Sequence, residues 1–300
     1  MMQITPRKPI LAGLMSSVLP GYGQLYNGEI NKAIWLFLVF SFLSQPGIAL
    51  VALYLPDAAM MPALVCGLLL TLALWICGIV DAVRSARRLP QYVAKPWQVS
   101  GAYMLVLILC NLIVLPFLIG YLRNYQVEPF RVPSTSMEPS VMAGDYFFAD
   151  KRYNCPACKH RIARGDIALF VYPNDRTQIY IKRIIGLPGD QVRMHGNEVS
   201  VNGVALSERG TRIGDTIVNT EHDGARRWQV RWSTARAPAD LTVAVPPGQV
   251  LVLGDNRDAS ADSRKFGTVP LQEVVGKARQ VWFSYGKDGV RWSRLGKVLE

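Results

Sequence analysis

Charge is scarce in the first part of this 300-residue sequence. Up to Leu122 it holds 10 of the 55 Lys, Arg, Asp and Glu residues, seven basic and three acidic. Such a stretch is neither disordered nor an ordinary solvated domain, because too little polar surface is available to keep it in water. Histidine is rarer still: only His160, His195 and His222 occur, with no H-E-x-x-H, which argues against a standard metalloprotease. There is no G-x-S-x-G, which disfavours an α/β-hydrolase elbow. Ser284 and Lys287 form a Ser-x-x-Lys, but without Lys-Thr-Gly or Ser-Asp-Asn it reads as a chance match. Five cysteines are too few for a disulfide scaffold. No internal repeat or low-complexity tract is present.

What the first part does contain is three charge-free apolar runs, 34–55, 61–80 and 102–122. Each is close to the ~20 helical residues that cross a hydrocarbon core. Trp35, Tyr54, Tyr103 and Tyr121 fall near their ends, where interfacial aromatic residues belong. A shorter run, 10–19, stops at Pro20-Gly21 and reads as an interfacial or re-entrant segment. Arg7, Lys8 and Lys32 precede the first run, the loop after it carries only Asp57, and the next loop has Arg84, Arg87, Arg88 and Lys95. The positive-inside rule therefore puts residues 1–33 on the cytoplasmic side and, after three crossings, residues 123–300 outside. The segment Pro20-Gly21-Tyr22-Gly23-Gln24-Leu25-Tyr26-Asn27-Gly28 is turn-rich, its glycines suited to close helix approach, and packing is its expected role.

From Arg123 onward there are 26 basic and 19 acidic residues, a balance of +7. Short runs rich in Val, Ile, Tyr and Phe (146–149, 167–172, 179–185, 198–201, 250–253 and 278–283) alternate with turn residues, which indicates a mostly β domain. The stretch 207–247 is more polar and irregular, and reads as an insertion on that β core. The expected fold is an α-helical, multi-pass membrane region (34–122) followed by a mostly β extracytoplasmic catalytic domain (123–300).

Three segments of the second part can carry chemistry. They are Phe130-Arg131-Val132-Pro133-Ser134-Thr135-Ser136-Met137-Glu138-Pro139-Ser140, then Tyr180-Ile181-Lys182-Arg183-Ile184-Ile185-Gly186-Leu187-Pro188-Gly189-Asp190, then Gly254-Asp255-Asn256-Arg257-Asp258-Ala259-Ser260-Ala261-Asp262-Ser263-Arg264. A shorter one, Arg164-Gly165-Asp166-Ile167, falls between the first two. Strand alternation sends Lys182 and Arg183 to opposite faces. Among Ile179, Ile181, Ile184 and Ile185, the Lys182 amine loses hydration, its pKa falls, and a neutral amine can take a hydroxyl proton and make serine a nucleophile. Alone, Lys182 reads more readily as an edge-strand lysine reaching water, and Ser134-Thr135-Ser136 as an ordinary turn, so each signal by itself is weak.

Together and in this order, the four segments resemble the diagnostic boxes of the bacterial type I signal peptidases (leader peptidases), membrane-anchored serine proteases. The resemblance covers most of 130–264. It implies that Ser136 is the nucleophile and Lys182 the general base, with the Ser136 N–H and the Ser134 hydroxyl as oxyanion hole. It implies that Ser260 orients the lysine amine, and that Asp255 with Arg183 and Asp262 with Arg264 are bracing charged pairs. Phe130, Val132 and Ile181 would wall shallow pockets that admit small side chains, as the Ala-x-Ala pattern at signal-peptide cleavage sites requires. The implied activity is a serine endopeptidase of the cytoplasmic (inner) membrane that removes signal peptides from exported preproteins on the outer side. It proceeds through an acyl-enzyme and without a cofactor. A Ser–Lys protease with a specialised pilin-like or conjugation substrate is a second reading. A catalytically dead scaffold is a third, against which the presence of Ser134, Ser136, Lys182 and Ser260 argues.

Ser136 follows the third apolar run by 14 residues, which is expected to hold it near the outer interface. Tethering there raises effective concentration. The +7 balance suits docking on anionic headgroups or, equally, a merely soluble basic surface. The bilayer and the secretion translocon are further expected partners, and nucleic acid is not. The sequence departs from the family's usual form in its three runs, in Val141 and Ala259, and in the inserted Asn154-Cys155-Pro156-Ala157-Cys158-Lys159-His160. Cys66, Cys77 and Cys110 fall in the apolar runs and behave as small apolar residues. Cys155 and Cys158 fall on the oxidising side, where a disulfide is permitted. With His160 they could also be half a zinc site, and no metal is needed for the implied chemistry.

Overall fold

The structure is a computed structural model that describes residues 6–154, 161–208, 210–234 and 240–299. The expectations for Cys155, Cys158 and His160 lie outside the described residues. The chain divides into two compact units, Met1–Asn124 and Tyr125–Glu300.

The first unit is helical, the form in which an apolar chain satisfies its own N–H and C=O groups without water. Two short helices come first, α1 (Pro9–Val18) and α2 (Tyr22–Asn27). Next are α3 (Ile30–Ser44) and α4 (Pro46–Tyr54), separated where Pro46 has no N–H to donate. Then come α5 (Asp57–Arg87), α6 (Ser100–Ile108), a π-helical turn at Leu109–Val114, and α7 (Leu115–Tyr125). Among the described residues, three continuous helical stretches are long and apolar enough to cross a membrane: Ile30–Tyr54, Ala58–Arg87 and Ser100–Tyr125. The second runs beyond the charge-free residues 61–80 because residues 81–89 contain no Gly or Pro, so the ladder continues through Asp81, Arg84 and Arg87.

The turn-rich segment is α2 flanked by two left-handed glycines, Gly21 (φ 88°) and Gly28 (φ 86°). A Cβ at Gly21 would come within 2.3 Å of the Ala33 carbonyl oxygen, so only glycine fits there. The polar side chains of α2 turn inward. Gln24 Nε2 donates to Gly78 O (2.7 Å) and Asp81 Oδ2 (3.1 Å), and Asn27 Nδ2 donates to Ala82 O (2.8 Å). Each satisfies an otherwise buried polar group.

The second unit is mostly β. Along the chain come β1 (Val127–Arg131), β2 (Asp145–Asp150), β3 (Ile167–Val171), β4 (Ile179–Gly186), β5 (Gln191–His195), β6 (Glu198–Val201) and β7 (Val204–Ala205). They are followed by β8 (Thr211–Ile213), β9 (Thr216–Asp223), β10 (Arg226–Ser233), β11 (Leu241–Ala244), β12 (Gln249–Leu253), β13 (Val269–Pro270), β14 (Val274–Gly286) and β15 (Gly289–Val290). An eight-stranded antiparallel sheet has the order β1-β2-β14-β3-β4-β12-β13, with β15 paired to β14. Smaller sheets have the orders β11-β5-β6-β7 and β10-β9-β8.

The stretch 207–247 is more regular than its polarity suggested: β9 and β10 pair without a break from Thr216↔Ser233 to Asp223↔Arg226. Its alternation is clean in β10, where Trp228, Val230 and Trp232 turn inward. In β9 it is disguised, because the inward positions Asn219 and Glu221 are polar. The two tryptophans join Ile185, Val192, Val201, Leu251 and Leu253 in one core. A second core, with Val132, Met137, Val141, Phe147 and Ile167, lies beneath the Ser134–Ser140 segment. A third contains Phe170, Ile184, Val250 and Val252. Strand β4 is therefore buried on both faces, which is why it reads as a nearly continuous apolar run.

Trp232 is 1% exposed in the first of these cores, whereas Trp292 is 75% exposed. Trp232→Ala is expected to lower the unfolding free energy by about 3–5 kcal/mol, and Trp292→Ala by less than about 0.5 kcal/mol. Chemical denaturation of the full-length chain measures both.

Candidate active site

Strand β4 places Lys182 opposite Ala168 of β3 and Arg183 opposite Ile167. After β1 the chain loops through residues 132–144 to β2, and this loop is held at both ends. Val132 N donates to Asp145 O (2.9 Å) and Gly144 N to Val132 O (2.8 Å), while the fully buried Met137 and Val141 anchor its middle. The anchored loop brings Ser136 Oγ to 2.8 Å from Lys182 Nζ. The amine also donates to the Ile181 carbonyl (2.8 Å), and Ser134 Oγ lies 3.2 Å from Ser136 Oγ. Lys182 is 4% and Ser136 7% exposed.

Burial pulls the Lys182 amine down from its ordinary value to about 8, against the opposing charges of Asp262 and Asp255. Desolvation wins because each carboxylate already has an arginine of its own. Arg183 grips Asp255 through two parallel bonds, Nε to Oδ1 (2.9 Å) and Nη2 to Oδ2 (2.7 Å), with both side chains fully buried. Arg183 Nη1 donates further to Gly165 O (2.6 Å), which gives the Arg164-Gly165-Asp166 segment its part in the site. Asp262 accepts from Arg264 Nε (2.8 Å) and Nη2 (2.7 Å) and from Gly254 N (3.0 Å). Burial alone would raise the Asp262 pKa, but the Arg264 bonds and charge and the Gly254 N–H hold it below the usual carboxylate value.

The loop after β12 clamps the serine loop directly. Asn256 N donates to Ser136 O (3.1 Å) and Asn256 Nδ2 to Thr135 O (3.0 Å). Ser260 lies on the same loop, but its buried Oγ has no hydrogen-bond partner among the described residues. The contact expected between Ser260 and the lysine amine is therefore not formed, and the Ile181 carbonyl holds the amine instead. Val132, expected as a pocket wall, is only 2% exposed and sits in the core beneath the serine loop. Phe130 and Ile181 are half-buried at the edge of that core. Among the described residues no group of three or more His, Cys, Asp and Glu is gathered to hold a metal ion.

The family described as Signal peptidase, peptidase S26, matches residues 102–283. A signal peptidase I from Pseudomonas fluorescens is 32% identical, over 77% of this chain and 98% of that protein. One from Pseudomonas aeruginosa is 34% identical, over 56% of this chain and 69% of that protein. This chain belongs to the signal peptidase family, peptidase S26. A crystal structure of a signal peptidase I from Enterococcus faecalis V583 is 31% identical over 39% of this chain and 95% of that one, with a TM-score of 0.27. Membership makes the chain a protease and hydrolase of a membrane-associated class, which its long apolar helices fit.

Two features behind this candidate site were not assigned roles from the sequence. One is the Asn256 clamp described above. The other is a fully buried ion pair, Arg257 Nη2 to Glu221 Oε2 (2.5 Å), which ties the loop to β9. Glu221 also accepts from Trp228 Nε1 (2.9 Å), and Arg257 Nε donates to Gly254 O (3.1 Å). The inward position of Glu221, opposite Trp228 in the β9–β10 register, is the only local signal that could have found it.

Gly254 sits where these elements converge. A Cβ there would come within 2.2 Å of Ser260 Oγ and 2.6 Å of Ser136 O. Gly254→Ala is expected to push Ser136 off Lys182 and to lower kcat about 100-fold with little change in circular dichroism.

Proposed function

We propose that this chain removes signal peptides from exported preproteins, using Ser136 as nucleophile and Lys182 as general base. The observation that carries this reading is the 2.8 Å approach of a buried, readily deprotonated amine to a buried hydroxyl. The neutral amine accepts the Ser136 proton as Oγ attacks the scissile carbonyl carbon. Charge then develops on the carbonyl oxygen, where the Ser136 N–H and the Ser134 hydroxyl are the donors. Lys182, now protonated, returns its proton to the leaving amine and the acyl-enzyme forms. Water enters, Lys182 takes a proton from it, and hydrolysis frees Ser136. Arg183 and Arg264 keep the neighbouring carboxylates from holding the proton on Lys182. Phe130 and Ile181 flank a shallow surface suited to small side chains. The topology is the one the basic residues imply: three crossings and the catalytic unit on the outer side. An assembled Ser136–Lys182 contact has no use in a passive scaffold.

Ser136→Ala and Lys182→Met are each expected to abolish cleavage of a preprotein in detergent, with the fold retained. A Lys182→Met variant with wild-type turnover would remove the proposed base. Only the neutral amine is active, so kcat/KM is expected to rise about tenfold per pH unit below pH 8 and to level above it. Stability gives an independent reading of the same group. The folded-state value, about 8, lies below the ordinary 10.5. The stability that the neutral amine contributes is thus present above the unfolded value and lost as pH falls through about 8. Lys182→Met binds no proton, so at pH 7 it is expected to gain on the order of 2–3 kcal/mol over wild type, less its lost hydrogen bonds. That difference should shrink toward pH 10 in denaturant titrations.

A further inference from the structure

The first unit carries a buried positive charge that the chemistry above does not use. Arg7 is 9% exposed, and its guanidinium lies between two aromatic rings, 4.5 Å from the centre of Tyr26 and 4.2 Å from that of Tyr92. The glycine-rich segment lets the second ring close, because a Cβ at Gly28 would fall 2.0 Å from the Tyr92 hydroxyl. Two rings hold a cation in place but accept none of its hydrogen bonds. Among the described residues Nε and Nη2 are buried with no partner, which leaves Nη1 as the nitrogen open to a ligand.

No carboxylate pairs with Arg7 among the described residues. The acids up to Leu122 are Glu29, Asp57 and Asp81, and none of residues 1–5 is acidic. Glu29 and Asp81 pair with Lys32 (3.0 and 3.5 Å). Asp57 opens α5, whereas Arg7 N donates to Leu89 O (3.3 Å) beyond the other end of that helix, about 45 Å away at 1.5 Å per residue. A buried ion without a counter-charge is strongly destabilising. More cations gather at the same end: Lys8, Arg87, Arg88 and Lys95 are all exposed, and none has an acidic partner among the described residues. The bonds that order the rings also fix two of these lysines along the chain. Lys8 N donates to Tyr26 Oη (3.2 Å), while Lys95 N and Tyr92 Oη both donate to Gln98 Oε1 (2.9 Å each).

An apolar stripe begins three residues after Arg7. Ile10, Leu14 and Val18 of α1 are 79%, 60% and 63% exposed, and their four-residue spacing puts them on one side of the helix. The opposite side buries Ala12, Gly13 and Ser16, with Ala12 against Ala82 and Ala86 of α5. Arg87 closes one candidate span and Ser100 opens the next, so the cations lie where a bilayer keeps its phosphates.

We propose that Arg7, Lys8 and Lys95 bind the phosphate of an anionic phospholipid, one of whose acyl chains runs along Ile10, Leu14 and Val18. Basic pockets between membrane helices are suited to anionic headgroups, and here the charge and the apolar stripe adjoin in the order in which a phospholipid presents its own. A free phosphate has no use for the stripe. A zwitterionic lipid brings its own cation and leaves Arg7 uncompensated.

The test uses the full-length chain in a neutral detergent and reads thermal unfolding together with retained lipid by native mass spectrometry. Phosphatidylglycerol is expected to raise Tm and to stay bound at one molecule per chain. Phosphatidylcholine and inorganic phosphate are expected to do neither. Arg7→Gln is expected to weaken phosphatidylglycerol binding about ten-fold and Leu14→Asn about three-fold, while Arg7→Lys, which keeps the charge, retains most of it. A purely structural arginine predicts a different result: Arg7→Gln would lower Tm equally with and without lipid and leave lipid binding intact, which would overturn the proposal. Should Arg7→Gln fail to fold, the exposed pair Lys8→Gln with Lys95→Gln decides, with a loss of about ten-fold expected and unchanged affinity overturning the site. Equal stabilisation by phosphatidylcholine, or by inorganic phosphate alone, would also overturn it. None of these readouts involves cleavage, so they stand apart from the roles of Ser136 and Lys182.

Discussion

Lys182 Nζ lies 2.8 Å from Ser136 Oγ in surroundings that remove its hydration, and that desolvation brings its pKa to about 8. The same burial would be defeated by a single free carboxylate nearby, since an opposite charge favours the ammonium form. Two carboxylates are nearby. Asp255 and Asp262 are both fully buried, and each is neutralised by an arginine in a two-bond grip. In the proposed mechanism these ion pairs set the protonation state of the base, besides bracing the site. Losing Arg183 would release the Asp255 charge toward Lys182 and also leave it unpaired, which is far more costly than never having buried the pair.

A base held this way works only if the hydroxyl is held equally well, and Ser136 is on a loop. The structure fixes it from two sides. From below, Met137 and Val141 are locked in an apolar core. From the side, Asn256 takes the carbonyls of Thr135 and Ser136, and Arg257 ties that clamp to Glu221 on β9. The β9–β10 hairpin thus belongs to the site through the clamp it anchors. Arg183 adds a further link, its guanidinium lying 5.1 Å from the Trp228 ring. A buried pair such as Arg257–Glu221 contributes little net stability, but its geometry is narrow, and a narrow geometry is what a positioning loop needs.

Local pattern made much of this legible in advance. Uncharged runs must become helices in lipid, and the six apolar β runs coincide with strands, only Tyr172 lying beyond the end of β3. Asp262 and Arg264 are two residues apart, so their pairing could be read along the chain. Asp255 and Arg183 are 72 residues apart, and only the resemblance of whole segments brought them together. Glu221 and Arg257 had no such help. An acid within a polar stretch looks solvated until strand register turns it inward opposite Trp228. The same limit explains Ser260 and Val132. Which way a loop side chain turns depends on what Gly254 leaves room for and on how Val132 pairs with Asp145 and Gly144, and neither is a property of local sequence. The inward Gln24 and Asn27 of α2 were hidden for the opposite reason: glycines marked the turns, while the partners waited on α5.

In the proposed function, a shallow cleavage site raises an energetic question of its own. Side chains as small as alanine bury little area, and at about 25 cal/mol per Å² two of them contribute only a kcal/mol or two. That is too little to hold an extended peptide against the loss of its freedom on binding. In a signal-peptide substrate the large apolar area lies elsewhere, in the segment before the cleavage site. In the proposed function that segment shares a bilayer with this chain's own helices. Confinement to the membrane raises the effective concentration of the cleavage site without any contact at the serine. The chemistry and most of the affinity are then separable, the first set by a dry amine in the β unit and the second by apolar helices. A protease so divided can accept many sequences around a small-residue site, because its selectivity rests on two features that every such substrate shares.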